Sequence, residues 1–233
     1  MMLTQTVASF TTPHGYPCRF IYRENTSDWN TCNSITTADE YSLPIGLSGV
    51  AVDVGAHIGV VTVVLALDNP ELRVIAIEPV PGNVDLIREN VALNGVGNRV
   101  TIIAGAAGGT DPVTVWYGFK GSESLEHHAF IGNSTLTREV PVYEHEEITY
   151  PATSLVDLLV QEGEIDYLKI DCEGGEWAFL DSPWIDRVRT VVGEWHPTDG
   201  HTVGDILDLL DTTHYVTTTG PVGGPGGFTA VRR

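Results

Sequence analysis

Four carboxylates and a histidine gather around the ends of two apolar runs in the last third of this chain. In Leu168-Lys-Ile-Asp-Cys-Glu-Gly-Gly-Glu176, Asp171 closes a run of buried-strand character, and Glu173 and Glu176 open the helical pattern that follows. Glu194 closes the next run, Val188 to Glu194, ahead of Trp195 and His196. An acid ending an apolar strand needs a partner. Two convergent acids, Asp171 and Glu194, offer either a general base or a seat for a divalent cation. The metal-ligand candidates are Asp171, Glu194 and His196, and the sequence leaves the need for a metal open. His196 serves equally as a base or as a satisfied surface histidine, and Glu176 equally as a partner of the helix dipole. Cys172 has no histidine tied to it by spacing and reads as a small buried residue. Lys169 shares a strand face with Asp171, where it pairs with a carboxylate or anchors the substrate side.

A second group lies earlier, in Asp53-Val-Gly-Ala-His-Ile-Gly59. Gly55 permits a tight turn and close approach of the backbone to a ligand, and Gly59 lets the next helix sit near the strand. Amides at that helix start are expected to face the ligand. Glu78 ends the following strand, placed to accept the two ribose hydroxyls of a nucleoside. The spacing is not that of a dinucleotide loop, because His57 stands where the second glycine belongs and Gly59 comes one residue early. An acid before the first glycine suits a ligand whose near end carries an ammonium group. S-adenosylmethionine, an adenosine with a zwitterionic amino-acid tail and no phosphate, is such a ligand.

The elements that must position these groups follow from periodicity. Val50 to Asp53, Arg73 to Glu78, Val100 to Ala104, Ile165 to Asp171 and Val188 to Glu194 read as strands. Helical patterns cover Gly59 to Leu67, Pro81 to Leu93, Thr153 or Ser154 to about Gln161, Glu173 to Leu180 and Val203 to Leu210. Pro81 suits a first helical turn, and Asn94-Gly95 ends that helix. His214 to Thr218 and Phe228 to Val231 read as a closing antiparallel hairpin across a glycine-rich connection. Such alternation predicts an α/β Rossmann-like fold, a mainly parallel sheet with helices on both faces and its ligand edge at the strand ends. Residues 118–150, with His127, His128, Glu144 and His145, break the alternation and read as an insertion near the substrate side.

With 31 acidic against 12 basic residues, the chain has a formal charge of −19. That excludes sequence-independent nucleic-acid binding and docking on an anionic membrane. An apolar content of 42% is enough for a real core. The whole of 1–233 reads as one domain, with 1–45 as an N-terminal lead-in. Cys18, Cys32 and Cys172 form no framework, no signal-type start is visible, and no apolar run reaches membrane-spanning length. A cytoplasmic protein is expected, with its oligomeric state left open.

The segments VDVGAHIGVVTVVLA, IAIEPVPGNVDLIRENVALNG, LKIDCEGGEWAFL and VVGEWHP occur in the order seen in FkbM-type S-adenosylmethionine-dependent methyltransferases, which the chain resembles over roughly residues 50 to 195. The stretch from Asn25 to Tyr41 looks like the family's lead-in. The resemblance implies a seven-stranded sheet of the class I methyltransferase fold. It places Asp53, Gly55, Ala56, His57 and Gly59 around the methionine part of the cofactor. It places Glu78 on the ribose, with Pro79 and Asn83 nearby, and Gly105, Ala106 and Ala107 near adenine. His57 replaces an asparagine common in the family. The resemblance also implies O-methylation of a hydroxyl on a small molecule, natural product or sugar. Asp171 is then base or metal ligand, supported by Glu173 and Glu194. Two alternatives stand beside this one: a non-catalytic cofactor-binding module of the same fold, and an NAD-linked oxidoreductase, which lacks its second glycine here.

Overall fold

Alternate residues of the strand Val50–Val54 (β3) pack on opposite sides of the central sheet, and this division organises the fold. Ala51 joins a cluster with Val63, Leu65, Ile87 and Phe20, whereas Val50, Val52 and Val54 join Phe179, Trp184 and Ile206 on the other face. The computed structural model describes residues 4–108, 112–118, 129–131, 145–151, 161–172, 174–197, 200–220 and 226–233.

Ahead of β3 come an antiparallel hairpin, Gln5–Thr11 (β1) with Pro17–Arg23 (β2), and a helix, Asp28–Asn33 (α1), that runs on into a π-type turn, Ser34–Ala38. The expected alternation then unfolds as Val60–Asp68 (α2), Arg73–Glu78 (β4), Pro81–Leu93 (α3) and Val100–Ala104 (β5). An excursion of Val113–Gly118 (β6), Ala129–Ile131 (β7) and His145–Tyr150 (β8) forms its own three-stranded antiparallel sheet. The chain returns through Ile165–Ile170 (β9), Glu176–Leu180 (α4), Val188–Trp195 (β10), Val203–Leu210 (α5), His214–Thr218 (β11) and Gly226–Arg232 (β12).

The seven strands of the main sheet lie in the order β11-β12-β10-β9-β3-β4-β5. β12 runs antiparallel to both neighbours, and the other described pairings in the sheet are parallel. β3, β4, β9 and β10 therefore end on one edge, where the loops after them converge. The expected α/β class I architecture and its closing hairpin are present. The β1–β2 hairpin was not visible in the periodicity, and the excursion begins at Val113, before residue 118.

Valine-rich α2 forms despite poor intrinsic propensity because eight of its nine residues are buried, so tertiary packing supplies what the backbone preference lacks. The left-handed Gly59, φ +85°, starts it, and a Cβ there would press on Ile87 of α3 at 3.2 Å. The helix expected from residue 173 begins at Glu176 instead. The expected helix start at 153–154, His127, His128, Glu144, Glu173 and most of the glycine-rich connection lie outside the described residues. Among the described residues, no helix is long and apolar enough to cross a membrane.

Candidate active site

The sheet edge opens into a cleft of about 340 Å³, within the range of small-ligand pockets. One wall is the turn after β3. Gly55 has φ +73°, and a Cβ there would collide with the backbone carbonyl of Asp171 in the loop after β9. This glycine is required by its neighbour strand's loop as much as by any ligand. The turn is latched to β4, since the amides of Gly55 and Ala56 both donate to the Ile77 carbonyl at 3.0 Å. His57 adopts φ +52°, the left-handed conformation a second glycine would supply, and its amide donates to Glu78 Oε2 at 2.9 Å. Gly59 donates to Ala56 O at 2.7 Å. The amides of Gly55, Ala56, His57 and Gly59 are thus spent within the protein, while Val60 and Val61 at the helix start line the cleft.

Glu78, at the end of β4, is buried yet lines the cleft. Oε1 accepts from the Val80 amide and from Asn83 Nδ2, each at 3.0 Å. Burial raises the carboxyl's pKa, opposed by the donors Val80, Asn83 and His57. Pro79 and Asn83 line the same wall with Gly105 and Ala107, while Ala106 turns into the core. The Tyr150 hydroxyl at the end of β8 donates to Pro79 O at 2.6 Å, so the excursion is fastened beside this wall.

The facing wall comes from the later strands and the lead-in. Asp171 lines the cleft and accepts the hydroxyl hydrogen of Tyr41 at Oδ2, 3.0 Å away. Burial, then the charges of Asp171, Glu194 and Glu40, raise the Tyr41 pKa, so its hydroxyl stays a donor. Glu194 also lines the cleft. Burial, then Asp171 and Glu40, push its carboxyl up to about 7, against the pull of His196 and Lys169. Ser27, Asn30, Thr31 and Ser34 of the lead-in present hydroxyls and an amide at helical spacing along the same space.

Several expected ligand-edge residues sit elsewhere. Asp53 is fully buried and does not line the cleft: Oδ2 accepts from Thr62 Oγ1 at 2.6 Å, and Oδ1 lies 3.5 Å from Lys169 Nζ. The cause is register. Asp53 and Lys169 are paired on adjacent strands and point to the α2 face. Lys169 also donates to the carbonyls of Gly55, at 2.8 Å, and Val54, at 3.3 Å, which ties the turn down from below. Burial alone would lower its pKa, but Asp53 and Asp171 outweigh this and raise it. Gly59 stays under the turn as a helix start.

His196 likewise does not line the cleft. Its Nδ1 pairs with Glu176 Oε1 at 2.8 Å. The fully buried Glu176 also accepts from the amides of Cys172, at 3.2 Å, and Gly174, at 2.8 Å, so it shapes the loop that carries Asp171. Among the described residues, Asp171, Glu176 and His196 can each bring a ligand atom within 4.8 Å of one another. Of the expected metal candidates, Asp171 and His196 are in that set and Glu194 is not. The set fits an ion poorly, because three of the four lone pairs of Glu176 are taken by two amides and a histidine, and Asp171 already holds Tyr41.

Sequence reasoning passed over Tyr41 and, in the lead-in, Arg23 and Asp28. Asp28, fully buried, accepts from Arg23 Nε at Oδ2 (2.7 Å) and from Arg23 Nη2 at Oδ1 (2.8 Å), and lies 3.1 Å from His57 Nε2. Burial would raise its pKa, but the neighbouring His57 ring and the hydrogen bonds and charge of Arg23 hold it well below the usual carboxylate range. Asp28 opens α1, and neither it nor Arg23 carries a spacing signal that points to residues 57 or 83.

The sequence profile of the Methyltransferase FkbM domain matches residues 53–216. The chain is 30% identical to a 31-O-demethyl-FK506 methyltransferase, FkbM, of Streptomyces tacrolimicus over 185 residues, 69% of this chain and 70% of that protein. It is 28% identical to the O-methyltransferase imqG of Aspergillus flavus over 165 residues, 67% of each chain. Among solved structures, M. jannaschii TYW2 in complex with AdoMet superposes with a TM-score of 0.52 at 16% identity, covering 100% of this chain and 89% of that one. At that identity the likeness concerns the fold.

Proposed function

The chain belongs to the FkbM methyltransferase family, and on that premise we propose that it transfers a methyl group from S-adenosylmethionine to a hydroxyl oxygen of a small molecule, natural product or sugar. The observation that carries this reading is one cleft with two different acidic walls. Glu78 stands on one side, and Asp171 with the proton-affine Glu194 stands on the other. When bound, S-adenosylmethionine supplies an electrophilic methyl on a sulfonium sulfur.

Gly55, Ala56 and His57 shape the wall that holds the amino-acid end of the cofactor. Glu78 accepts the ribose hydroxyls, and Asn83 and Pro79 flank it. Gly105 and Ala107 leave room for a flat base. Asp53 and Gly59 support this wall from below through Lys169 and Ile87. A pyrophosphate would find none of the turn's amides of Gly55, Ala56, His57 and Gly59 free, which counts against the dinucleotide alternative. The acceptor's hydroxyl approaches the facing wall. There Glu194, with a carboxyl near neutrality, takes its proton, and Asp171 and Tyr41 orient the oxygen. The acidic surroundings suit a cationic cofactor and a neutral acceptor. We place no resident metal in this step.

Calorimetric titration with S-adenosylhomocysteine tests the cofactor. Micromolar binding that is lost in Glu78→Ala is expected, and absence of binding at high micromolar concentration overturns the reading. Retention of full methyl transfer to a true substrate by Glu194→Gln would remove Glu194 as the base.

A further inference from the structure

Two branches of contacts, the first hydrogen-bonded throughout, leave Asp28 in the lead-in and arrive at the two oxygens of Glu78. The first runs through Arg23. Its Nη2 is shared between Asp28 Oδ1, at 2.8 Å, and Asn83 Oδ1, at 2.7 Å. Asn83 Nδ2 then donates to Glu78 Oε1. A guanidinium can only donate, so it dictates which end of the Asn83 amide faces it. The carbonyl must turn to Arg23, and the NH₂ must turn to Glu78. Without Arg23 the amide is free to rotate and present its oxygen to the carboxylate, which replaces an attraction by a repulsion. The second branch runs through His57. Asp28 lies against its ring nitrogen at 3.1 Å, and its backbone, held left-handed, aims its amide at Glu78 Oε2.

We infer that Arg23 and Asp28 are positioning residues for nucleoside recognition: without touching the ligand, they set the orientation in which Glu78 receives the ribose hydroxyls. The inference rests on the reading of Glu78 as the ribose acceptor. The arrangement is built for more than packing. Arg23 is buried with its guanidinium bridging two partners, and its backbone amide also donates to Asp28 Oδ2 at 2.8 Å, so the pair is rigid against β2. A structural ion pair would close on itself, whereas this one passes a donor onward to Asn83. A carboxylate whose outer lone pairs are fixed in direction by protein donors discriminates sharply for hydroxyls at one place, and one that swings does not.

The test compares the affinities of S-adenosylhomocysteine and its 2′-deoxy analogue, by calorimetry, in the full chain and in Arg23→Lys and Asp28→Asn. The ratio of the two affinities within one protein does not depend on the fraction folded, so a partly destabilised variant still reports. Lysine keeps the charge but cannot bridge Asp28 and Asn83. Asparagine keeps the shape of Asp28 but not its charge. The wild type is expected to prefer the hydroxylated ligand by about tenfold or more, the effect of a hydrogen bond to a charged group. Both variants are expected to lower this preference to about threefold or less. If both ligands weaken together and the ratio is kept, the pair is merely structural and the inference is overturned. If the wild type shows no preference, Glu78 is not the ribose acceptor, and that reading and this one fall together.

Discussion

Lys169 and Asp53 stand side by side on β9 and β3, Nζ 3.5 Å from Oδ1, beneath the turn that walls the cleft. Both are buried, and Lys169 reaches on to the Gly55 carbonyl. One ion pair therefore braces the two loops that carry the site. Lys169→Met leaves the Asp53 carboxylate buried with no cation and is expected to cost about 3–5 kcal/mol of stability, read by urea denaturation. The Lys169 pKa is raised in the folded state. Its stabilisation is therefore fully present below the ordinary lysine pKa and is lost only as pH rises through the folded value.

Glu194 carries the pH dependence. With its carboxyl pushed up to about 7, methyl transfer should rise as pH passes through 7 and then level off. Glu194→Gln should lower the turnover rate about 10²–10⁴-fold and flatten that limb. Asp171→Asn removes a charge that raises the Glu194 pKa, so the limb should move to lower pH in pH–rate measurements.

The same raised carboxyl has a stability signature with the opposite sign to an ordinary salt-bridged acid. The folded state holds the Glu194 proton more tightly than the unfolded state between the ordinary glutamate pKa, 4.5, and about 7, so this group's contribution falls as pH rises across that window. Glu194→Gln should melt above wild type at pH 8 and level with it at pH 4 in thermal denaturation. Equal melting temperatures at pH 8 would mean that Glu194 is not strained by its neighbours.

Gly55→Ala tests the turn. The substitution puts a Cβ against the Asp171 carbonyl and a side chain at φ +73°. The backbone conformation alone costs about 1–3 kcal/mol, and the collision adds to it. A lower melting temperature together with loss of S-adenosylhomocysteine binding is expected, because relief requires the Asp171 loop to move.

Metal removal should change nothing. Glu176 is committed to the amides of Cys172 and Gly174 and to His196. Dialysis against EDTA is expected to leave the methyl-transfer rate unaltered, and restoration of a lost rate by added magnesium would overturn this.

Much of the cleft was legible because its residues are local to strand ends. Glu78, Asp171 and Glu194 each close an apolar run, and parallel strands must deliver such residues to one edge, so the sequence placed them together without any long-range information. The alternation of strands and helices is likewise local, since periods of 2 and 3.6 residues are written in the order of apolar side chains. The N-terminal hairpin escaped notice because residue type does not follow its faces: burial alternates strictly along β1, but Val7 points outward and Thr6 and Ala8 inward.

What the sequence determined on its own is the frame: an α/β sheet, its ligand edge, and the acids that end on it. What only the tertiary structure decided is which of those acids are free. Asp53 and Glu176 look like ligand residues in one dimension but are taken up by Lys169 and His196, 116 and 20 residues away. Tyr41 meets Asp171 across 130 residues, and Arg23 meets Asn83 across 60. The physical reason is that secondary structure is chosen by neighbours along the chain, whereas a buried polar group takes whichever partner the packed chain brings within about 3 Å, and no periodicity encodes that choice.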